Sequence, residues 1–127
     1  MKNSLARILA LCVMLGIWGT AAADTVRVVW ICEVNDGKTL DDVRTANSAW
    51  AAFMHENVDA GISSTILTPI IGNTSGGRFI YADDFPSMAV WNASLEASET
   101  DEGQAIDAAL GEVASCDSSS LYSAEVS

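Results

Sequence analysis

The segment from Val26 to Val34, Val-Arg-Val-Val-Trp-Ile-Cys-Glu-Val, constrains this chain more than any other. It is rich in β-branched and aromatic residues and ends at Asn35-Asp36-Gly37, a turn signal, so it reads as a strand. Side chains alternate across a strand. Val26, Val28, Trp30, Cys32 and Val34 therefore fall on one side, and Arg27, Val29, Ile31 and Glu33 on the other. Both sides have an apolar middle, and a strand of that kind belongs at the centre of a sheet with both faces covered.

The remaining elements follow in order. Thr39 with Asp42 three residues later forms a capping-box pattern, and Leu40, Val43, Ala46, Trp50, Phe53 and Met54 recur at helical spacing, which predicts a helix from Leu40 to Asn57. A β-rich stretch from Ile62 to Ile71 contains Pro69, which cannot donate to a ladder and so marks an edge strand. The glycine-rich segment Gly72 to Gly77 leads into a third strand, Arg78 to Asp83, closing a hairpin. Asp84 caps the next helix, with Pro86 in its first turn and Met88, Trp91 and Leu95 as its apolar stripe. An acidic stretch from Glu96 to Glu102 interrupts that helix, and Ile106, Ala109, Leu110 and Val113 define a further one. Leu121 to Val126 reads as the final strand.

This order, strand-helix-strand twice with the second helix split, predicts an α+β, ferredoxin-like βαββαβ sandwich: an antiparallel sheet in the order 4-1-3-2 with its helices on one face. The first strand is then central and the second an edge, as their residues require. Strand four runs antiparallel beside strand one and brings Cys116 to Cys32. A disulfide there closes a loop of about 84 residues, which the chain-entropy model values at roughly 4 to 5 kcal/mol.

Compartment and charge come from the sequence ahead of that core. Residues 1–23 carry Lys2 and Arg7, an uncharged apolar run from Ile8 to Trp18, and Ala21 and Ala23 at small-residue cleavage positions. The run is short of the roughly 20 residues that span a bilayer, so it reads as a signal peptide cleaved near Ala23. The expected mature chain is residues 24–127, a single domain, periplasmic or secreted. Cleavage removes Cys12 and leaves Cys32 and Cys116, an even pair in an exported chain. Four bases (Arg27, Lys38, Arg44 and Arg78) then stand against 17 acids, a formal charge of −13. Such a chain is a poor partner for nucleic acid or an anionic membrane surface, both of which draw on clustered Lys and Arg.

With helices on one face, the other sheet face, bearing Arg27, Val29, Ile31 and Glu33, needs its own cover, and a second copy of the chain supplies it as a homodimer. On the element order from Val26 to Val126, the Glu33-Val34-Asn35-Asp36-Gly37 strand end and the Asp83-Asp84-Phe85-Pro86-Ser87 lead, the chain resembles the dimeric α+β barrel superfamily of small ferredoxin-like proteins. That superfamily includes cofactor-free monooxygenases, haem-degrading enzymes, chlorite-dismutase relatives and stress-responsive proteins. The resemblance implies a fold and does not choose among these activities. Export, a disulfide and an extra acidic stretch set this chain apart, and no catalytic residue is carried over.

Motif by motif, the chain names no cofactor and no metal. One histidine and a disulfide pair leave no zinc ligand set. Aligning Gly37 with the invariant glycine of a calcium loop puts Cys32 and Val34 where oxygen ligands are required. The Gly72–Gly77 loop lacks the Gly-Lys-Ser/Thr ending of a phosphate loop, and Ser63 has no nucleophile-elbow context. His55 falls about 140° from the centre of its helix's apolar stripe, on the solvent face. The pairs Asp41-Asp42, Asp83-Asp84 and Asp101-Glu102 read as solvated surface, and Trp30, Trp50 and Trp91 as core. Asn73-Thr74-Ser75 and Asn92-Ala93-Ser94 match glycosylation acceptors.

Two residues remain as ligand-binding candidates. Glu33 is an acid at the end of an otherwise apolar strand face, and Tyr81 lies on the third strand. The expectation is an exported, acidic, disulfide-stabilised binding or stress-related module that dimerises through the open sheet face and holds a small apolar or aromatic ligand there. The alternative is a cofactor-free or haem-dependent oxidative enzyme with a cavity lined by both Glu33 and Tyr81.

Overall fold

A computed structural model describes residues 24–74 and 76–127; residues 1–23, read above as a signal peptide, lie outside the described residues. β1 (Thr25–Val34), α1 (Leu40–Asn57), β2 (Ser63–Leu67), β3 (Arg78–Phe85), α2 (Met88–Ser98), α3 (Asp101–Val113) and β4 (Ala114–Ala124) follow one another along the chain. The four strands form one antiparallel sheet in the order β2-β3-β1-β4, which is 4-1-3-2 read from the other edge. This is the ferredoxin-like α+β fold, and β1 is flanked on both sides by β3 and β4, as its two-faced sequence demands.

Local chemistry sets the elements. α1 starts where Thr39 and Asp42 exchange both capping-box hydrogen bonds, and those bonds hold the Asp42 carboxyl below its ordinary range. His55, in the last turn, is exposed as its helical position requires. Its Nε2 lies 2.6 Å from the Ile62 carbonyl, so the ring donates there and fastens the end of α1 to the chain entering β2.

Three boundaries differ from the sequence reading. β2 ends at Leu67, so Pro69 lies just beyond the edge strand instead of within it. Asp84 does not cap α2. It extends β3 and accepts two hydrogen bonds from Arg27, at 2.7 and 2.8 Å, while Ser87 takes the capping position and accepts from the Val90 amide. β4 begins at Ala114, with no loop after α3, instead of at Leu121. Its first half, Ser115 to Ser120, has no apolar alternation to announce a strand; backbone pairing to β1 makes it one.

That pairing shifts register between Ile31 and Cys32, whose partners are Ser118 and Cys116, leaving Asp117 as the extra residue of a β-bulge. Cys32 and Cys116 are disulfide-bonded across it, with a sequence separation of 84. Nearby, the Asn35 side-chain amide donates to the carbonyls of Gly111 and Glu112 and its oxygen accepts from Ser115, so the end of β1 is laced to the α3–β4 junction.

The core lies between the helices and one sheet face. Val26, Val28, Trp50, Phe53, Met54, Ile62 and Phe85 form one cluster; Cys32, Val43, Phe79, Tyr81, Val113 and Ala114 form another. The opposite sheet face carries no helix. There Ile31 is 43% and Tyr122 52% exposed, with the Arg27–Asp84 pair beside them. No described helix is long and apolar enough to cross a membrane.

Candidate functional site

The two core clusters do not close completely. Between the sheet and the helices lies a cavity of about 370 Å³, at the lower end of the range for small-molecule sites. β1 contributes Val28 and Trp30 to it, β3 contributes Tyr81, Asp83 and Phe85, and the helices contribute Trp50, Met54, Trp91 and Leu110. Register explains the first two groups: Trp30 pairs with Tyr81 and Val28 with Asp83, so all four side chains share the helix-facing side. Every tryptophan among the described residues lines this space. Trp50 is buried as core, whereas Trp30 is 39% exposed and acts as wall more than as filling.

A polar group converges on the floor. Ser64 on β2 donates to Asp83 Oδ1 at 2.5 Å and accepts from the Asn47 side-chain amide of α1 at 3.0 Å. Trp30 also donates to the Asp83 carboxylate. Burial nonetheless outweighs these donors and pushes the Asp83 carboxyl up to about 6, with Asp84 adding to the rise. Two residues away on the same strand face, the Tyr81 hydroxyl is buried with no hydrogen-bond partner. Burial, and then the charge of Asp83, raise it to about 12, so it is a neutral phenol. Asp107 of α3 also borders the cavity, its carboxyl raised by partial desolvation and by Glu99.

Tyr81 and Glu33, singled out together in the sequence, are not brought together. Glu33 pairs with Arg78 on the helix-free face and is exposed, whereas Tyr81 faces the helices. The cavity also lies on the opposite side of the sheet from the one expected to hold a ligand. Asp83 escaped the sequence reading because it stands next to Asp84 and looked like surface. The available signal was alternation: Phe79, Tyr81, Asp83 and Phe85 fall at every second position, and all four are buried. The described residues contain no cluster of three or more His, Cys, Asp and Glu side chains placed to hold a metal.

No family model matches the sequence, and no curated protein is significantly similar to it. Solved structures do share its fold. SnoaB, a cofactor-independent oxygenase from Streptomyces nogalater, superposes with a TM-score of 0.61 at 15% identity, covering 83% of this chain and 97% of that one. A candidate antibiotic biosynthesis monooxygenase from Caulobacter crescentus gives 0.57 at 17% identity, covering 83% and 93%. A dimeric ferredoxin-like protein of unknown function from Thermobifida fusca gives 0.52 at 11% identity, covering 80% and 92%. The chain has the fold of the dimeric α+β barrel proteins.

Proposed function

We propose that the protein is an exported homodimer in which each chain binds a small, mainly apolar aromatic molecule in its sheet–helix cavity. The observation that carries this reading is the Tyr81 hydroxyl, buried without a partner against a space bordered by three tryptophans. An unsatisfied buried hydroxyl costs about 1–3 kcal/mol, and a ligand oxygen or nitrogen reaching it recovers that cost. The dimer reading rests on the helix-free face. Ile31, Leu67 and Tyr122 are substantially exposed there, Ile70 and Ile71 beyond β2 are about nine-tenths exposed, and the Thermobifida fusca neighbour is described as dimeric. Export rests on residues 1–23 of the sequence alone.

A second reading, cofactor-free oxidation, is favoured by Asp83. A carboxyl that titrates near 6 is ionised at neutral pH yet basic enough to take a proton from an acidic ligand. The substrate would then have to be electron-rich enough, once deprotonated, to reduce dioxygen itself. Haem does not fit this cavity: no imidazole or free thiolate lines it, His55 is engaged with Ile62, Cys116 is in the disulfide, and Tyr81 is held as a neutral phenol.

Tryptophan emission tests the binding reading directly, because all three reporters border the site. Titration with a panel of simple phenols and quinols should give a saturable change that disappears in Gly111→Phe, a substitution at an open position on the cavity wall. An emission spectrum insensitive to every member of the panel would exclude the cavity as a binding site for this class. Oxygen uptake with any phenol that binds, lost in Asp83→Asn, would establish the oxidative reading.

A further inference from the structure

We propose that the cavity selects organic cations: its ligand is an amine with an aromatic or apolar body, held by the tryptophans and paired with the carboxylates. This inference rests on the reading of the cavity as a ligand site and names the class of molecule it takes.

Charge is distributed one-sidedly around the cavity. Asp83 and Asp107 are the only charged residues that line it, one on the sheet floor and one on α3. Every base among the described residues is engaged or placed elsewhere. Arg27 is paired with Asp84 on the helix-free face, and Arg44 is paired with Asp41 on the solvent side of α1. Arg78 borders a separate depression on the helix-free face with Ile31 and Ile80. Lys38 is exposed in the loop before α1, and the His55 ring donates to Ile62. A carboxylate or phosphate ligand entering the cavity would meet two acids and no compensating donor of positive charge, in a setting where desolvation magnifies repulsion. A cation meets the reverse.

Aromatic lining adds to that preference. Tryptophan is the best cation–π acceptor among side chains, and Trp30, Trp50 and Trp91 all border the space together with Tyr81. The neutral Tyr81 phenol completes the site, because its oxygen, unpartnered in the free protein, can accept from an ammonium N–H. Burial raises the Asp83 carboxyl toward its neutral form, and a cation seated beside it restores the ionised form.

Calorimetric titration of the disulfide-intact protein with three near-isosteric probes, naphthylmethylamine, naphthylmethanol and naphthoate, tests the proposal above the titration of Asp83 and below that of the amine. The amine is expected to bind about tenfold or more tighter than the alcohol, with naphthoate weakest. Asp83→Asn and, separately, Asp107→Asn should each shrink the ratio of amine to alcohol affinity. Asp107 is exposed, so its variant keeps the test open if the Asp83 variant fails to fold. Alcohol or naphthoate binding as tightly as the amine overturns cation selection and leaves the cavity as an aromatic site. An amine preference that survives both substitutions, or that persists in Gly111→Phe, assigns the attraction to the acidic surface and also overturns it. Absence of binding by all three probes overturns the underlying cavity reading itself.

Discussion

Tyr81 and Asp83 sit two residues apart on one face of β3, and each departs from what a buried side chain ordinarily tolerates. The Tyr81 hydroxyl has no partner, so Tyr81→Phe should stabilise the free protein by about 1 kcal/mol, read as a higher urea midpoint, while weakening any ligand that bonds the phenol. Asp83 gives a pH signature. Its folded-state value of about 6 lies above the ordinary 3.8, so the folded chain holds a proton that the unfolded chain has already lost between those values. The resulting stabilisation is complete below about pH 4 and is lost as pH rises through about 6. Relative to Asp83→Asn, the wild type should therefore lose up to about 3 kcal/mol between roughly pH 4 and pH 7. A difference that stays flat with pH would show that Asp83 is not desolvated. Neither residue was legible as part of a pair. Tyr81 could be chosen from its strand, but nothing in Asp83-Asp84 separates the acid that turns inward from the acid that pairs with Arg27; only the extent of β3 to Phe85 does that.

Elements whose boundaries rest on local chemistry were legible, and those made by distant partners were not. α1 runs from Leu40 to Asn57 as its capping box and apolar spacing dictate, and β1 is central as its two apolar faces require. By contrast, the serine-rich first half of β4 is a strand only because β1 lies beside it, and Asp84 is lost to α2 only because Arg27 waits across the sheet. The two glycines of α3 show the same contrast. A Cβ at Gly103 would lie 2.2 Å from the Ala97 carbonyl oxygen and 2.7 Å from Ser98 Cα, at the corner where α3 turns back on α2, whereas Gly111 has nothing within 4 Å. Gly103→Ala should destabilise by about 2 kcal/mol or more because backbone must move to admit it. Gly111→Ala should stabilise by about 0.5–1 kcal/mol through helix propensity alone. Thermal melts of the two variants should move in opposite directions.

At the scale of the whole molecule, the sheet separates two tasks. Its helix-covered face holds the cavity, and its bare face carries the exposed apolar surface proposed to meet a second copy. Ile31→Glu, at the middle of the bare face, should convert the proposed dimer to monomer in sedimentation experiments while leaving ligand affinity within about twofold, since the sheet residues that line the cavity point to the opposite, helix-covered side. Loss of binding together with loss of dimer would mean that the two faces are coupled. The strand order bears on how the molecule comes to exist at all. β1 emerges first during synthesis, yet both of its sheet neighbours, β3 and β4, come from later in the chain, and one of them is the last strand. A partly made chain therefore has no way to complete its sheet. Contacts of such long sequence separation form slowly, so the sheet cannot close until β4 has been made, a delay that suits the export proposed above.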